Sequence, residues 1–392
     1  MLRSLRLVTA LLAASPLAAQ DLPRLDLDPA ATTVSGLSSG AFMAVQLQVA
    51  FSDRIAGAGI VAGGPYWCAR GSAARAVDAC MRAPTGRPPD HTRALAQAEA
   101  YAAEGAIAPL TGLADDRVFL FSGTEDTVVH PPVMDATEAF YRAIGVPGAA
   151  LRVVDDIAAG HAILVEEAEN PCDANAAPWL NDCDRDQAGN ILTWLLGDLD
   201  PPVPARPDRL FHFDQSGYLT APETQSMFEL GLVYIPAACS EGARCRLHIA
   251  LHGCGQGADA VEDLFAREAG FNAWAEANAI VVLYPQAQAD PLRGNPLGCW
   301  DWWGYTGTAY ATRAAPQMGA IARMAAALGA PLAERVCTRH AAFNWQHWWE
   351  DRAVICGFGF CAAGSGDRLG AGALFTTLHE SGPGVFHDAG CP

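Results

Sequence analysis

The segment from Val34 to Val49 most restricts the fold of this chain, because it requires a strand to pass directly into a helix. Within it, Gly36, Ser38 and Gly40 form a Gly-x-Ser-x-Gly pentapeptide. Glycines flank such a turn because a side chain there would collide with the neighbouring strand or helix. Apolar residues then recur at helical spacing over residues 41–50, which is typical of a helix packed on a sheet. The segment therefore predicts a sharp turn with Ser38 at its tip.

The first 20 residues have the pattern of a secretory signal peptide: a basic start, an apolar run and a small-residue end. We expect cleavage near Ala19 or Gln20 and a secreted protein, extracellular or periplasmic. A membrane anchor is the weaker interpretation, because the apolar run is too short to span a bilayer and Pro16 interrupts it. No later apolar run approaches the length of a membrane span, so none is predicted.

The charge of the chain limits its partners. It has 43 acidic residues against 25 basic residues, all arginine, and a net charge of −18. Nucleic acids and anionic lipids need clustered positive charge, so both are disfavoured as partners. A neutral or insoluble substrate fits this composition better, whereas the oligomeric state is not determined by it.

Twelve cysteines in a chain with an export signal predict disulfide bonds. Short sequence separations suggest local bridges, namely Cys68–Cys80, Cys172–Cys183 and Cys239–Cys245. Cys254 and Cys299 are then expected to pair over a longer range, and the four cysteines after residue 330 allow three connectivities. A zinc site is the competing interpretation, but no Cys-x-x-Cys pair occurs. We expect neither a metal nor a cofactor.

Strands and helices alternate through the first half of the chain, which predicts a parallel sheet with helices on both faces. A proline-rich crossing at 198–208 joins this half to a second one, with predicted strands at 210–213, 232–235, 245–252 and 280–284. Further helices are predicted at 264–278, at 317–328 and from Ala162 onward. The predicted organisation is a signal peptide (1–20), a catalytic domain (21–330) and a cysteine- and aromatic-rich C-terminal extension (331–392).

A serine needs a base, and the base needs a carboxylate, before its hydroxyl becomes a useful nucleophile. Asp126 follows a predicted buried strand, and His161 follows the next one. Ser38, Asp126 and His161 thus occur in the chain order of α/β hydrolases, at strand ends that meet on one edge. Asp155 and Asp156 are rival acids, but they lie on the strand that leads to His161 and are poorly placed to face its ring. Structural roles in turns or loops remain the alternatives for Asp126 and His161.

The position of the turn in the chain indicates a circular permutation. Only about 15 residues separate the predicted cleavage site from the strand before Ser38, whereas an α/β hydrolase needs several strands there. The second half supplies strands, and one of them ends in His252-Gly253-Cys254-Gly255, typical of an oxyanion loop. The backbone N–H groups of Ser39 and Cys254 are the predicted oxyanion hole.

The predicted Cys254–Cys299 bridge would bring an aromatic segment, residues 300–305, beside the serine. Trp302 is the candidate in this segment for a wall of the substrate site. A role in the core is the alternative for such a residue.

The motifs together resemble secreted single-domain poly(3-hydroxybutyrate) depolymerases over roughly residues 30–330. They are Gly-Leu-Ser-Ser-Gly, Ala-Gly-Gly-Pro-Tyr-Trp-Cys, Ser-Gly-Thr-Glu-Asp, Ala-Gly-His, Leu-His-Gly-Cys-Gly-Gln and Gly-Cys-Trp-Asp-Trp-Trp-Gly-Tyr. The resemblance implies a circularly permuted α/β-hydrolase fold with the site residues proposed above and with Trp302 lining a crevice for one polyester chain. The extension after residue 330 departs from this pattern, and a lid, a polymer-adsorbing patch and a disulfide-stapled brace are its possible roles.

The expected function is hydrolysis of poly(3-hydroxybutyrate)-type polyester to hydroxyacid oligomers by a secreted serine esterase that forms an acyl-enzyme. One alternative is an esterase of the same fold acting on feruloyl or acetyl esters, or on soluble oligoesters. An alternative of a different class is a non-catalytic polymer-binding protein.

Overall fold

The structure, a computed structural model, describes residues 21–84, 87–220, 225–332, 338–350, 352–357, 359–363, 368–371, 373–382 and 385–387. The predicted signal peptide, Cys337 and Cys391 lie outside these residues. The chain divides into two compact units, Met1–Ala330 and Pro331–Pro392.

An eight-stranded sheet with helices around it forms the first unit. The strands of this unit are β1 (Thr32–Leu37), β2 (Ile55–Val61), β3 (Arg117–Phe121), β4 (Leu151–Val154), β5 (Ile163–Val165), β6 (Asn170–Pro171), β7 (Leu180–Asp182), β8 (Leu210–Asp214), β9 (Leu230–Tyr234), β10 (Arg246–Leu251) and β11 (Ile280–Tyr284). Its helices are α1 (Ser39–Ala50), α2 (Ala73–Val77), α3 (His91–Ala103), α4 (Pro131–Ile144), α5 (Gln187–Leu196), α6 (Ala237–Ser240), α7 (Ala258–Val261), α8 (Leu264–Glu268), α9 (Phe271–Asn278) and α10 (Pro316–Leu328).

The strand order in the large sheet is β4-β3-β2-β1-β10-β11-β9-β8. All neighbours are parallel except β9, which is antiparallel to both β8 and β11. The strands can be renumbered 1 to 8 in the order β8, β9, β10, β11, β1, β2, β3, β4, as if the chain began at β8. Their spatial order is then 1-2-4-3-5-6-7-8, the order of an α/β hydrolase. The predicted circularly permuted α/β-hydrolase fold is therefore confirmed.

The two ends of the first unit lie side by side, as a permuted chain requires. The backbone N–H of Leu25 donates to the carbonyl of Leu328 at 2.9 Å. Asp28 and Cys245 are also joined, through a hydrogen bond of 2.8 Å from the Asp28 N–H to the Cys245 carbonyl. Leu25 and Asp28 are thus fixed to the end of α10 and to the residue before β10, respectively.

The central strands are buried on both faces, because helices cover both sides of the sheet. Helix α1 is buried at every position, and it has no charged residue. This explains why its sequence is apolar all round instead of showing one polar face.

Two predicted helices differ from the structure. The predicted helix 264–278 is broken into α8 and α9, because Gly270 adopts a left-handed conformation with a φ of 92°. The residues after Ala162 form the short strand β5, which pairs with β7, and not a helix. The apolar run there is only four residues long and ends at two glutamates, so its length fits a strand better.

All four predicted disulfides of the first unit form: Cys68–Cys80, Cys172–Cys183, Cys239–Cys245 and Cys254–Cys299. In the second unit Cys356 is bonded to Cys361. The described part of the chain has no cluster of three or more potential metal ligands. None of its helices is long and apolar enough to span a membrane.

The described residues of the second unit form several short strands and one helix. Its elements are β12 (Thr338–Phe343), α11 (Asn344–Trp349), β13 (Ala353–Cys356), β14 (Gly359–Ala362), β15 (Arg368–Gly370), β16 (Phe375–Gly382) and β17 (Val385–His387). Among its described residues, four buried side chains form a core: Ala353, Ala362, Leu369 and Leu378. The buried amide of Asn344 donates to the carbonyls of Leu369 (2.7 Å) and Ala371 (2.9 Å). A core of this size is small, and a disulfide is a usual supplement to it.

We expect the first unit to lose stability in acid through His248. This histidine is fully buried in β10, and its ring nitrogens contact the hydroxyls of Thr33 and Ser35 at 2.8 Å each. Burial lowers its pKa to about 3. Below its ordinary pKa of 6.5 the unfolded chain therefore binds a proton that the folded chain excludes. Each pH unit below that value removes about 1.4 kcal/mol of stability.

The measurement is the free energy of unfolding in urea at pH 7 and pH 5. His248→Gln should reduce the difference between the two values by about 2 kcal/mol relative to the unchanged protein. An unaltered pH dependence in His248→Gln would contradict this account of His248.

Candidate active site

Ser38 lies in a strained turn between β1 and α1. Its φ of 57° is in the left-handed region, which residues other than glycine rarely adopt. Glycine is required on both sides: a Cβ on Gly36 would lie 2.4 Å from the carbonyl of Gly40, and a Cβ on Gly40 would lie 2.4 Å from the carbonyl oxygen of Leu251. The turn thus has the geometry of a nucleophile elbow.

Asp126 and His161 are joined by a short hydrogen bond. The distance from Asp126 Oδ2 to His161 Nδ1 is 2.7 Å, and both side chains are at least 96% buried. The other carboxylate oxygen accepts the backbone N–H groups of Val128 (2.8 Å) and Val129 (2.9 Å). These contacts fix the carboxylate, and the imidazole Nδ1–H points to it. The nitrogen Nε2 is therefore left as the basic atom.

The two rival acids lie apart from the histidine. Asp155 and Asp156 are both exposed, in the loop that follows β4. The carboxylate that contacts His161 is that of Asp126.

The loop after β10 is held by a buried histidine. His252 donates from Nδ1 to the carbonyl of Gly253 at 2.7 Å and accepts the N–H of Ala287 at Nε2 at 3.0 Å. Burial lowers the pKa of His252 to about 4, so the ring stays neutral and can accept the second bond. The Cys254–Cys299 disulfide and the bond from the Gly255 N–H to Leu297 attach the loop to the neighbouring segment.

The backbone N–H groups of Ser39 and Cys254 lie at this turn, and neither donates to a backbone acceptor among the described residues. Ser39 begins α1, where the first N–H groups of a helix have no partner within it. Cys254 follows Gly253, whose position is so close to Ser38 that a Cβ there would lie 3.4 Å from the serine Cβ. Such donors beside a nucleophilic serine are typical of an oxyanion hole.

A cavity of about 360 Å³ opens at this turn. Ser38, His161, Cys254 and Trp302 all line it. The rest of its lining is formed by Leu37, Ala73, Ala76, Val77, Met81, Val128, Trp179, Gly253, Gly294, Pro296, Leu297, Cys299 and Trp303. No side chain in this lining carries a permanent charge, so the cavity fits an uncharged, largely apolar ligand.

Trp302 belongs both to the core and to the cavity wall. Its ring stacks on that of Phe42, with centroids 4.0 Å apart, and only 5% of the residue is exposed. The buried carboxylate of Asp301 shapes the loop, because it accepts the N–H groups of Gly304 (2.6 Å) and Thr306 (2.8 Å) among others. The aromatic wall is therefore rigid.

Several residues of this site were not predicted from the sequence. The segment from Ala73 to Met81 forms one wall, and only the nearby Cys68–Cys80 bridge pointed to that region. Asn175 and Gln256 make hydrogen bonds to the loops that carry the candidate residues. Gln256 ends the Leu-His-Gly-Cys-Gly-Gln motif, but the motif assigns it no role, and Asn175 lies in an irregular loop without periodicity or spacing that would identify it.

The chain is similar to known proteins both in sequence and in structure. No family model matches it. It is 42% identical over 312 residues to the poly(3-hydroxybutyrate) depolymerase of Delftia acidovorans, a match that covers 78% of this chain and 61% of that relative. The polyhydroxybutyrate depolymerase of Talaromyces funiculosus is 34% identical over 333 residues, covering 81% of this chain and 93% of the relative.

Two solved structures agree with these matches. One is a PHB depolymerase with a serine-to-alanine substitution, complexed with an R3HB trimer. It is 32% identical to this chain with a TM-score of 0.73, and the match covers 79% of this chain and 98% of that chain. The other is the crystal structure of the PHB depolymerase from Penicillium funiculosum, with a TM-score of 0.72, 32% identity and coverage of 78% and 97%.

We expect Asp126→Asn to slow covalent labelling of Ser38 by an organophosphate by about 10³-fold or more. The asparagine amide lacks the negative charge of the carboxylate and does not hold the imidazole in the tautomer that leaves Nε2 basic. The matched control is Asp155→Asn, which removes an exposed carboxylate nearby. Labelling rates followed by intact mass provide the measurement. Equal rates for the two variants would contradict the assignment of Asp126.

Proposed function

The chain belongs to the poly(3-hydroxybutyrate) depolymerase family, and from this premise we propose that it is a serine esterase that hydrolyses short-side-chain polyhydroxyalkanoate to hydroxyacid oligomers. The observation that carries the proposal is the Asp126–His161 hydrogen bond, because His161 also lines an apolar cavity together with Ser38. The chain spans 61% of the length of the Delftia relative, so that protein's activity is not transferred as a whole.

In the proposed reaction, Ser38 Oγ attacks the carbonyl carbon of the ester while His161 Nε2 takes the hydroxyl proton. Asp126 stabilises the imidazolium that forms, because its carboxylate is already fixed on Nδ1. The proton then passes to the alkoxide of the leaving hydroxyacid, which departs as an alcohol. The acyl group remains on the serine.

The tetrahedral intermediate carries a negative charge on its oxygen. The N–H groups of Ser39 and Cys254 are the proposed donors to this oxyanion, since neither donates to a backbone acceptor among the described residues. Removing one such donor typically costs 10²- to 10³-fold in kcat. Water, activated by His161, then attacks the acyl-enzyme and releases the carboxylic acid.

The cavity lining favours an aliphatic polyester over an ester of a polysaccharide. Sugar hydroxyls need polar side chains as partners, whereas this lining consists of aliphatic and aromatic groups around Ser38 and His161. A backbone of ester groups with methyl side chains offers mostly apolar surface. Feruloyl and acetyl esters of polysaccharide are therefore the less favoured substrates.

We also propose that the protein is secreted. The predicted signal peptide lies outside the described residues, so the support comes from the disulfides. The five bridges of the described residues suit an oxidising compartment.

The test of the activity is clearing of a turbid suspension of polyhydroxybutyrate granules, with a feruloyl ester measured in parallel. We expect clearing by the unchanged protein, little hydrolysis of the feruloyl ester, and at least a 10³-fold loss in Ser38→Ala, which lacks the nucleophile. Clearing that persists in Ser38→Ala would contradict the serine mechanism. A preference for the feruloyl ester would favour the alternative esterase, and no covalent labelling of Ser38 would favour the non-catalytic polymer-binding protein.

For the second unit we propose adsorption to the polymer surface. It exposes an unusual number of large apolar side chains: Phe343, Trp345, Trp348, Trp349, Val354, Ile355, Leu374 and Phe375, each at least 42% exposed. Exposed apolar surface of this kind is typical of interaction sites. A solid polyester offers a matching apolar surface without fixed charge.

We expect the double substitution Trp345→Ala, Trp349→Ala to weaken adsorption of the full chain to granules at least 10-fold, because each indole buries a large apolar area on contact. Hydrolysis of a soluble p-nitrophenyl ester should remain unchanged. The matched control is Val203→Ala, an exposed apolar residue of the first unit. Protein remaining in solution after the granules are sedimented gives the adsorption constant. If the double tryptophan variant adsorbs as strongly as Val203→Ala and the unchanged protein, these tryptophans have no role in adsorption.

A further inference from the structure

The loop closed by the Cys172–Cys183 disulfide contacts both halves of the candidate site. On one side it meets the segments that carry Asp126 and His161, and on the other the loop that carries Cys254. Resting on the proposed function, we propose that this loop sets the catalytic geometry through two positioning residues, Asn175 within it and Gln256 against it. Neither side chain is among those that line the cavity.

Asn175 connects the acid to the base. Its Oδ1 accepts the N–H of Thr127 at 3.0 Å and the N–H of His161 at 3.1 Å. Its Nδ2 donates to the carbonyl of Glu125 at 3.0 Å. Glu125 and Thr127 are the two neighbours of Asp126, so one amide holds the peptides on both sides of the acid and the backbone of the histidine.

A fourth bond completes the set. The Asn175 amide also donates to the carbonyl of Asp173 at 3.1 Å, which ties the side chain to its own loop. Two donated and two accepted bonds use the full capacity of a primary amide. The side chain therefore has one orientation, and so do the peptides bonded to it.

Gln256 does the same for the oxyanion loop. Its Oε1 accepts the N–H of Gly253 at 2.8 Å, and its Nε2 donates to the carbonyls of Pro178 (3.0 Å) and Trp179 (3.2 Å). The side chain is 99% buried. Because Gly253 directly precedes Cys254, the orientation of the Cys254 N–H depends on the peptide that Gln256 holds.

The loop itself is well anchored for this purpose. The carbonyl of Cys172 accepts the N–H of Gly160 at 2.9 Å and the Asn181 amide at 3.0 Å. A Cβ on Gly160 would lie only 2.1 Å from the carbonyl oxygen of Ala174, so the loop packs directly on the residue before His161. The disulfide and this contact make the loop a fixed reference for both neighbours.

The two side chains should affect kcat and leave KM nearly unchanged, because they hold groups that act on the transition state and do not touch the cavity. We expect Asn175→Ala to lower kcat for a soluble p-nitrophenyl ester about 10²-fold, with KM within about 2-fold. Gln256→Ala should have an effect of similar size, through the oxyanion hole.

The chain offers matched controls in the same region. The amide of Asn170 donates to the carbonyls of Ala176 and Ala177 in the same loop without contacting either candidate segment. Asn170→Ala thus removes an amide that supports the loop but leaves the bonds of Asn175 in place. For Gln256 the control is Gln187→Ala, a buried glutamine that accepts the N–H of Leu164. Both controls should stay within about 3-fold of the unchanged protein in kcat.

A double-mutant cycle with Asp126→Asn separates positioning from general stability. If Asn175 acts through the Asp126–His161 pair, its substitution should cost less than about 3-fold once Asp126 has been replaced. Gln256→Ala should keep its full cost in that background, because it acts through a different group. The role of Asn175 would be overturned if Asn175→Ala lowered kcat by the same factor in the unchanged protein and in Asp126→Asn. It would also be overturned if Asn175→Ala and Asn170→Ala lowered kcat equally. The role of Gln256 would be overturned if Gln256→Ala lowered kcat no more than Gln187→Ala does. It would also be overturned if Gln256→Ala had no effect on kcat in the Asp126→Asn background.

Folding is checked for each variant by its thermal unfolding curve. Should Asn175→Ala not fold, Asn175→Ser takes its place, because the hydroxyl can still accept one N–H, and about a 10-fold loss in kcat is expected. Gln256→Glu serves in the same way, because it keeps the acceptor for Gly253 and loses the donors. Full activity of Asp126→Asn would contradict the proposed function, whereas slow Asp126→Asn with unaffected Asn175 and Gln256 variants would contradict this inference alone.

Discussion

The parallel pairing of β1 with β10 is the contact on which the rest of the structure depends. Their register places Gly36 opposite Leu251, so both strands end at the same edge of the sheet. The turn at Ser38 after β1 and the loop with Cys254 after β10 therefore emerge together. Gly40 approaches the Leu251 carbonyl so closely that no side chain fits between them. Two segments more than 200 residues apart in sequence become one site through this pairing.

The same pairing explains a fully buried histidine in the sheet. His248 on β10 contacts the hydroxyls of Thr33 and Ser35, which lie two residues apart and hence on the same face of β1. A shift in register by one residue would turn these hydroxyls away and leave the imidazole unpaired in the core. The contact thus stabilises the observed register of β1 with β10, which in turn positions the turn at Ser38.

Much of the site was predictable because its residues follow strands. Asp126 and His161 each come after an apolar segment, and the ends of parallel strands meet at one edge whatever the loops do. The bonds of Asn175 and Gln256 could not be predicted in this way, since they depend on the path of an irregular loop. The break of the predicted helix at Gly270 was missed for a similar reason: glycine lowers helix stability only modestly, and its left-handed conformation is decided by packing.

The uncharged cavity also bears on how the proposed reaction ends. Each cycle converts a neutral ester into a carboxylate, which is costly to keep in an apolar environment without a cationic partner. No arginine lies among the described residues that line the cavity, and the chain carries a net charge of −18. The substrate and the product therefore differ in their interaction with the same walls. A surface that accepts the ester and disfavours the acid promotes release of the product of the proposed reaction. The excess of acidic residues acts in the same direction, because it repels a carboxylate.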